Sequence, residues 1–196
     1  MPIETSSPNT MHDTVRGYVG DLLAAHRHVL EAVERHCESP AVARIPHAEG
    51  RLMALREALK SQKASLTEVL DATGREGASA QVKEAVTTIT GFLVGIYGQV
   101  RGETASRMIR DNCTAVSFLN TCAAMLHTTA VAFRDERVAG VAVNVMNELP
   151  GHVMTLADLL PHAVAIELHA EHSEASINAA EVTVQAIHDS WKTRGR

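Results

Sequence analysis

The sequence predicts an all-α fold, a bundle of four long helices followed by a shorter C-terminal helix. Apolar residues recur at steps of three and four over four long segments of the 196-residue chain. Aromatic residues make up only 3% of the chain, which favours closely packed helices over a β-sandwich. The segments are separated by proline, by glycine or by short charged runs, which end helices and form turns.

The first two helices are predicted to form an antiparallel hairpin. One runs over about residues 11–37 and ends at Ser39 and Pro40, and the other runs over about 41–72, with Pro46 in its first turn. Because the connection is short, the two helices should be neighbours. The predicted buried stripes are Val15, Val19, Leu22, His26, Val29 and Val33 in the first helix, and Ala48, Leu52, Leu55, Leu59, Gln62, Leu66 and Val69 in the second.

A second hairpin is predicted to follow a long apolar connection. Its helices run over about 103–133 and from about 136 to 160, with a polar turn at 134–136 between them. Pro150 and Pro161 are expected to kink or break the later helix, because proline removes a helical hydrogen bond. A final amphipathic helix is expected over about 173–191, with apolar positions Ile177, Val182, Val184, Ile187 and Trp191.

These elements divide the chain into a lead-in over 1–10, a helical bundle over 11–170 with a crossover at 75–102, and a C-terminal helix and tail over 171–196. The net charge of −5 and the lack of a Lys/Arg cluster argue against a nucleic-acid partner. The three cysteines form no paired motif and no signal peptide is visible, so a cytoplasmic location is expected. No uncharged apolar run of 18 residues is found, so no transmembrane span is expected.

Several short segments resemble a bacterial ferritin-like family. They are Asp21–Leu30 in the first helix, and Arg110–Asn112, Met125–Ala130 and Arg134–Ala139 in the second hairpin. The resemblance covers about residues 11–170, and two hairpins joined by a long crossover is a ferritin-like connectivity. It implies a ferritin-like four-helix bundle. For family members with the full ligand set, it also implies a metal-binding oxidoreductase or an iron-handling role.

Metal ligands in such bundles are a glutamate on each of two helices and a Glu-x-x-His motif on each of the other two. No Glu-x-x-His occurs in this chain. The remaining candidates are His26 and the pair Glu148 and His152, which lie four residues apart on one helix face. Two histidines and one carboxylate can hold one metal ion, so iron or manganese is the alternative to the expected absence of a cofactor. Otherwise His26 is a hydrogen-bonded core residue, and the pair bonds to backbone groups freed by Pro150.

Three more histidines gather near the end of the fourth helix: His162, His169 and His172, together with Glu167 and Glu171. Surface metal capture or a pH-responsive contact would use them, because imidazole titrates near neutrality. The other interpretation is that they complement the negative end of a helix dipole.

The crossover contains four glycines in twelve residues, spaced so that a helix would carry them on one stripe. Glycine costs about 1 kcal/mol per residue in a helix, a loss that the close approach of another helix would offset. The predicted interface between copies is formed by Gly91, Phe92, Gly95, Ile96, Tyr97 and Gly98. Packing within the chain and insertion into a membrane surface are the alternatives.

From these features we expect a structural or assembly role rather than catalysis. The protein would act by self-association as a homo-oligomer, or by docking to a protein partner or a larger shell. The alternative is a metal-binding oxidoreductase or iron-handling protein with a reduced ligand set, His26, Glu148 and His152.

Overall fold

The computed structural model describes residues 11–72 and 104–193, and over these ranges the chain is helical and contains no strand. The all-α prediction is confirmed. The predicted lead-in and crossover lie outside the described residues. The helices are α1 (Met11–Cys37), α2 (Pro40–Ala43), α3 (Ala48–Ala72), α4 (Ala105–Ala132), α5 (Glu136–Glu171) and α6 (Ala179–Thr193).

Four long helices enclose a common core. α1 packs against α3 and α4, and α5 packs against the same two helices. Every residue of the two stripes predicted for the first hairpin is buried. Complete burial of one large apolar side chain contributes about 1.5–3 kcal/mol. The largest fully buried apolar side chains are Leu22, Leu52, Leu55, Leu59, Leu66, Ile109, Leu119, Leu126, Leu149 and Leu156.

Caps fix both ends of the α4–α5 hairpin. Thr104 is the N-cap of α4, and Glu167 near the end of α5 accepts hydrogen bonds from the backbone N–H of Ser106, at 3.0 Å, and from its hydroxyl. A carboxylate at this position also complements the positive end of the helix dipole. Asp135 caps α5 by accepting from the N–H of Val138 at 3.0 Å. The two helices are therefore held antiparallel at both ends.

The second predicted helix begins later than expected. α2 ends at Ala43 and α3 begins at Ala48, so Pro46 lies between two helices and not in a first turn. Proline disfavours helical backbone at the residue before it, which here is Ile45. His47 then adopts a left-handed backbone conformation, with a φ of 65°.

Of the two outcomes expected at the prolines of the fourth long helix, a kink or a break, the break does not occur. α5 continues from Glu136 to Glu171 with Pro150 and Pro161 inside it. Each proline costs about 3 kcal/mol in a helix interior. Core burial along the same helix, including Leu156 between the two prolines, outweighs this cost and keeps α5 continuous.

The C-terminal helix begins at Ala179 rather than near Ser173, and α6 packs mainly on α5. Two of the apolar positions predicted for this helix differ from expectation: Ile177 precedes the helix and is 49% exposed, and Val182 lies on its exposed side, at 72%. The helix starts six residues later than expected because the chain turns between α5 and α6.

By length and composition, α4 is the one described helix that could cross a membrane. The expectation of no span rested on the lack of an uncharged apolar run, yet residues 112–133 contain no Asp, Glu, Lys or Arg. A core helix of a soluble protein meets the same criterion, which makes it weak evidence. Here α4 packs against α1 and α5 and buries Leu119 and Leu126.

Candidate functional site

The first candidate site lies where the predicted metal ligands were expected to meet. His26 is on α1 and is completely buried, at 0% exposed. Glu148 is exposed on α5, and His152 lies one turn later on the same helix and is half-buried. The apolar periodicity of α1 accounts for the burial of His26, because it places this residue on the inward stripe.

Gln62 of α3 stands between His26 and Glu148. The Nδ1 of His26 is 2.9 Å from the carbonyl oxygen of Leu22, and its Nε2 is 3.0 Å from Oε1 of Gln62. The amide of Gln62 donates to Oε2 of Glu148 at 2.7 Å. A chain of hydrogen bonds, here named the relay, therefore runs from α1 through α3 to the surface of α5. Apolar periodicity predicts that Gln62 lies on the buried stripe, but its role in the relay has no signal in the sequence.

The relay makes all of its hydrogen bonds only with an additional proton. In the observed arrangement both nitrogens of His26 face acceptors, so both must carry hydrogen. If the amide of Gln62 is turned over, a neutral His26 can accept from it, but the amide oxygen then faces Glu148, which must be protonated to donate. Either arrangement holds one proton more than a neutral His26 with an ionised Glu148. With a neutral His26 and an ionised Glu148, one of the two contacts made by the amide of Gln62 therefore lacks a hydrogen.

Burial disfavours the binding of this additional proton by His26. Desolvation lowers the pKa of His26 below its ordinary value, while the hydrogen bonds to Leu22 and Gln62 act in the opposite direction. Burial also lowers the pKa of His152, against the charge of nearby Glu148, which raises it. The larger effect at both histidines favours the neutral ring in the folded protein.

The described residues do not bring the predicted ligands together as a metal site. Within 11–72 and 104–193, no three His, Cys, Asp or Glu side chains are placed to hold a metal ion. Both nitrogens of His26 face protein acceptors, and Gln62 separates this residue from Glu148. Iron or manganese binding by His26, Glu148 and His152 stays a prediction.

A second polar contact in the core joins α1 to α4. Asn112 is completely buried, and its Oδ1 lies 3.1 Å from Nδ1 of His36. Polar residues on otherwise apolar stripes were the signal for such contacts. Their partners could not be identified from the sequence, because they come from other helices.

The environment of the three cysteines makes them less reactive than a free thiol. Burial raises the pKa of Cys37, Cys113 and Cys122, and that of Cys122 reaches about 11, with the negative charge of Asp21 contributing. Because the thiolate is the reactive form, these protonated thiols are poor nucleophiles.

A second candidate site is on the surface of the α4–α5 hairpin. Steps of three and four place its exposed residues on one side of each helix. We name this surface the outer face. It consists of Thr114, Ser117, Thr121, Met125, Thr128 and Val131 of α4 and Gly140, Asn144, Asn147, Gly151 and Met154 of α5. None of these side chains is ionisable, and Glu148 stands beside them.

A groove of about 550 Å³ opens where the outer face meets α6. Its apolar lining includes Pro150, Val153, Met154 and Trp191. The Oδ1 of Asn120, which also lines the groove, is buried and accepts no hydrogen bond from the residues that the structure describes. The groove therefore combines an apolar wall with one unused acceptor.

The relay and the outer face are two candidate sites of the described chain. The interface predicted at Gly91, Phe92, Gly95, Ile96, Tyr97 and Gly98 lies outside the described residues and stays a prediction. Comparisons with protein-family models, with curated proteins and with solved structures find no match to this chain.

Proposed function

We propose that this protein is a self-associating helical bundle of ferritin-like connectivity with a structural role. In this proposal, the outer face is a contact between copies. The observation that carries the proposal is this long exposed surface without ionic charge, in a chain whose other hairpin is strongly charged. The proposed role is the assembly role expected from the sequence, placed on a different surface.

The distribution of charge supports this choice of surface. α1 carries seven ionic residues in 27 and α3 carries eight in 25. α4 carries three in 28, the last of them Asp111, so the rest of this helix is uncharged. Burying an ionic group at an interface costs free energy, and charged residues are depleted at interface centres for this reason. The outer face can be covered without that cost.

A second copy of the chain is the occupant that fits this surface. In a two-fold contact each surface meets itself, so a face with a net charge would repel its copy. The outer face meets its copy without like charges. The stripe from Thr114 to Val131 is about 26 Å long at the helical rise, and two adjacent helices are about 20 Å wide. These dimensions give a flat area of about 500 Å², whereas a standard interface buries about 800 Å² of accessible surface on each partner.

The groove beside α6 gives the contact an anchor. Methionine and tryptophan, here Met154 and Trp191, are enriched at interfaces.

The test is the mass in solution of the wild type and of two matched variants. Light scattering should give a mass well above the 21.1 kDa of one chain. Met125→Lys places a charge at the centre of the outer face and should shift the mass toward 21.1 kDa. Met53→Lys makes the same change on α3, at a similar exposure, and should leave the mass unchanged.

Three results would overturn the proposal. One is a wild type that remains at the mass of one chain at every concentration. Another is an assembly that Met53→Lys weakens as much as Met125→Lys does. An assembly that neither variant affects would also reject the outer face and point to a contact elsewhere.

A further inference from the structure

The C-terminal helix is held to the bundle by little apolar surface. In the described part of α6 only Ala180 is buried, while Val184 and Ile187 are half-buried. The helix packs mainly on α5. Because apolar burial is small, polar contacts between these two helices have a large share in keeping α6 docked.

Two reciprocal pairs of side chains join α6 to α5, and both contain histidine. His188 of α6 places its Nε2 2.8 Å from Oδ1 of Asp158 on α5. His162 of α5 lies with its Nε2 4.0 Å from Oε1 of Glu181 on α6. Each pair gains a full ionic attraction only when its imidazole is protonated. Histidine is the side chain whose charge ordinarily changes near neutral pH.

We propose that these two pairs form a pH-dependent clasp that closes α6 onto α5 in acid and loosens it as the pH rises. Protonation puts a positive charge opposite a carboxylate at two points along the same helix pair. Each partly exposed ion pair shifts the docking equilibrium by up to about five-fold. Since both pairs respond in the same direction, their effects on docking combine.

The charged and titratable groups around His162 come from three elements. His162 and Glu181 share a groove of about 420 Å³ with Asp158, and with Arg51 and His47 from the start of α3 and the turn before it. The carboxylate that faces His162 from α6 is that of Glu181.

Other charges surround His188 on its own helix. Asp189 is the next residue, and it accepts from Gln185 at 2.9 Å and pairs with Lys192 at 3.6 Å. The carboxylate that α5 presents to His188 is Asp158. Protonated His188 therefore gains its main attraction across the helix interface, and this attraction is lost when α6 leaves.

The clasp controls what covers the apolar side of α5. With α6 docked, Trp191 lines the groove beside Pro150, Val153 and Met154. When α6 leaves, Trp191 leaves with it and this part of α5 is uncovered. Because this groove adjoins the outer face, an effect of undocking on self-association rests on the proposed function. The clasp itself does not rest on that function.

The test uses the fluorescence of Trp191, the one tryptophan of the chain. Acrylamide quenching of the full chain is measured at about pH 5.5 and at about pH 8, on either side of the ordinary imidazole range. We expect the quenching constant to rise by at least about two-fold at the higher pH, because weaker ion pairs leave α6 undocked more often. The double variant Asp158→Asn, Glu181→Gln should quench alike at both pH values. It keeps His188, so any direct effect of that ring on the indole is retained.

The matched control is Glu171→Gln, Glu174→Gln. It removes the same number of carboxylates near α6 but leaves both pairs intact, and it should keep the pH response of the wild type. Quenching of the wild type that is equal at both pH values would overturn the clasp, and so would a pH response that survives in the clasp variant. Light scattering on the same samples measures self-association separately. The difference in quenching between the two pH values tests the clasp whether the protein is a single chain or an assembly.

Discussion

The two hairpins of this bundle bury similar surfaces and expose different ones. Inside, both contribute leucine and small aliphatic side chains to one core. Outside, α1 and α3 carry ionic residues along their whole length, including the pair Lys60 and Glu34, at 3.7 Å, which joins the two helices. On α4, residues 112–132 carry none.

This difference separates the determinants of folding from those of association. The inward apolar stripes make the helices pack against one another, and both hairpins have such stripes. The outward stripes are free to vary. Charge along α1 and α3 keeps that hairpin solvated, while the lack of charge on the outer face leaves a surface that can be covered. The relay is a polar joint between the hairpins, to which α1 and α3 contribute His26 and Gln62 and α5 contributes Glu148.

The largest expected effect comes from breaking that joint. Gln62→Leu removes the partner of His26 Nε2 in the core and should lower the free energy of unfolding by about 1–3 kcal/mol, because a buried polar atom is left unsatisfied. Urea denaturation measures this. The double variant His26→Leu, Gln62→Leu should recover part of the loss, since both polar groups are then absent.

The control for this prediction is Ser61→Ala, on the exposed side of the same helix. It should change the free energy of unfolding by less than about 0.5 kcal/mol. A Gln62→Leu protein as stable as the wild type would show that the relay does not stabilise the contact between the hairpins.

A smaller effect is expected from pH. Burial lowers the pKa of His26 in the folded protein, so below about pH 6.5 the unfolded chain takes up a proton that the folded chain resists. The free energy of unfolding should therefore decrease as the pH falls from about 7 toward 5. His152 contributes in the same direction, because burial lowers its pKa too. Urea denaturation of His26→Gln over this range should show a shallower dependence on pH; an unchanged slope would contradict the assignment.

The smallest expected effect comes from adding a methyl group at an exposed glycine of each hairpin. A Cβ added at Gly151 on the outer face, or at Gly17 on α1, would meet nothing within 4 Å. Alanine at either position should raise the free energy of unfolding by about 0.4–1 kcal/mol, as measured by thermal denaturation. Only Gly151→Ala should alter the mass measured by light scattering, because only this methyl group lies at the proposed contact. A change in mass caused by Gly17→Ala would argue against the outer face.

Apolar periodicity predicted most of the fold. It identified the inward stripes of α1 and α3 residue by residue, because burial of apolar side chains is what positions those helices. It failed where other effects decide. Pro46 separates two helices although a proline in a first turn is tolerated, and Pro150 lies inside a continuous helix because core packing outweighs the lost hydrogen bond.

The sites could be predicted only in part. His26 and Glu148 were identified as the polar residues that stand out, and both belong to the relay. The role of Gln62 could not be derived, because the distance between α3 and α5 depends on how the whole core packs. The outer face could not be predicted from the sequence. Its signal is a lack of charged residues on the exposed side of α4, and that side is known only from the structure.

The central claim is that copies of this chain meet through the outer face, and methionine oxidation of the wild type tests it most directly. Met125 and Met154 of the outer face are 50% and 49% exposed in the single chain, and Met53 on the charged hairpin is 41% exposed. Peroxide oxidation of each, followed by mass spectrometry, should be similar in dilute protein. As the concentration rises, oxidation of Met125 and Met154 should slow while that of Met53 stays constant. Equal rates for all three at every concentration, or protection of Met53 instead, would contradict the claim.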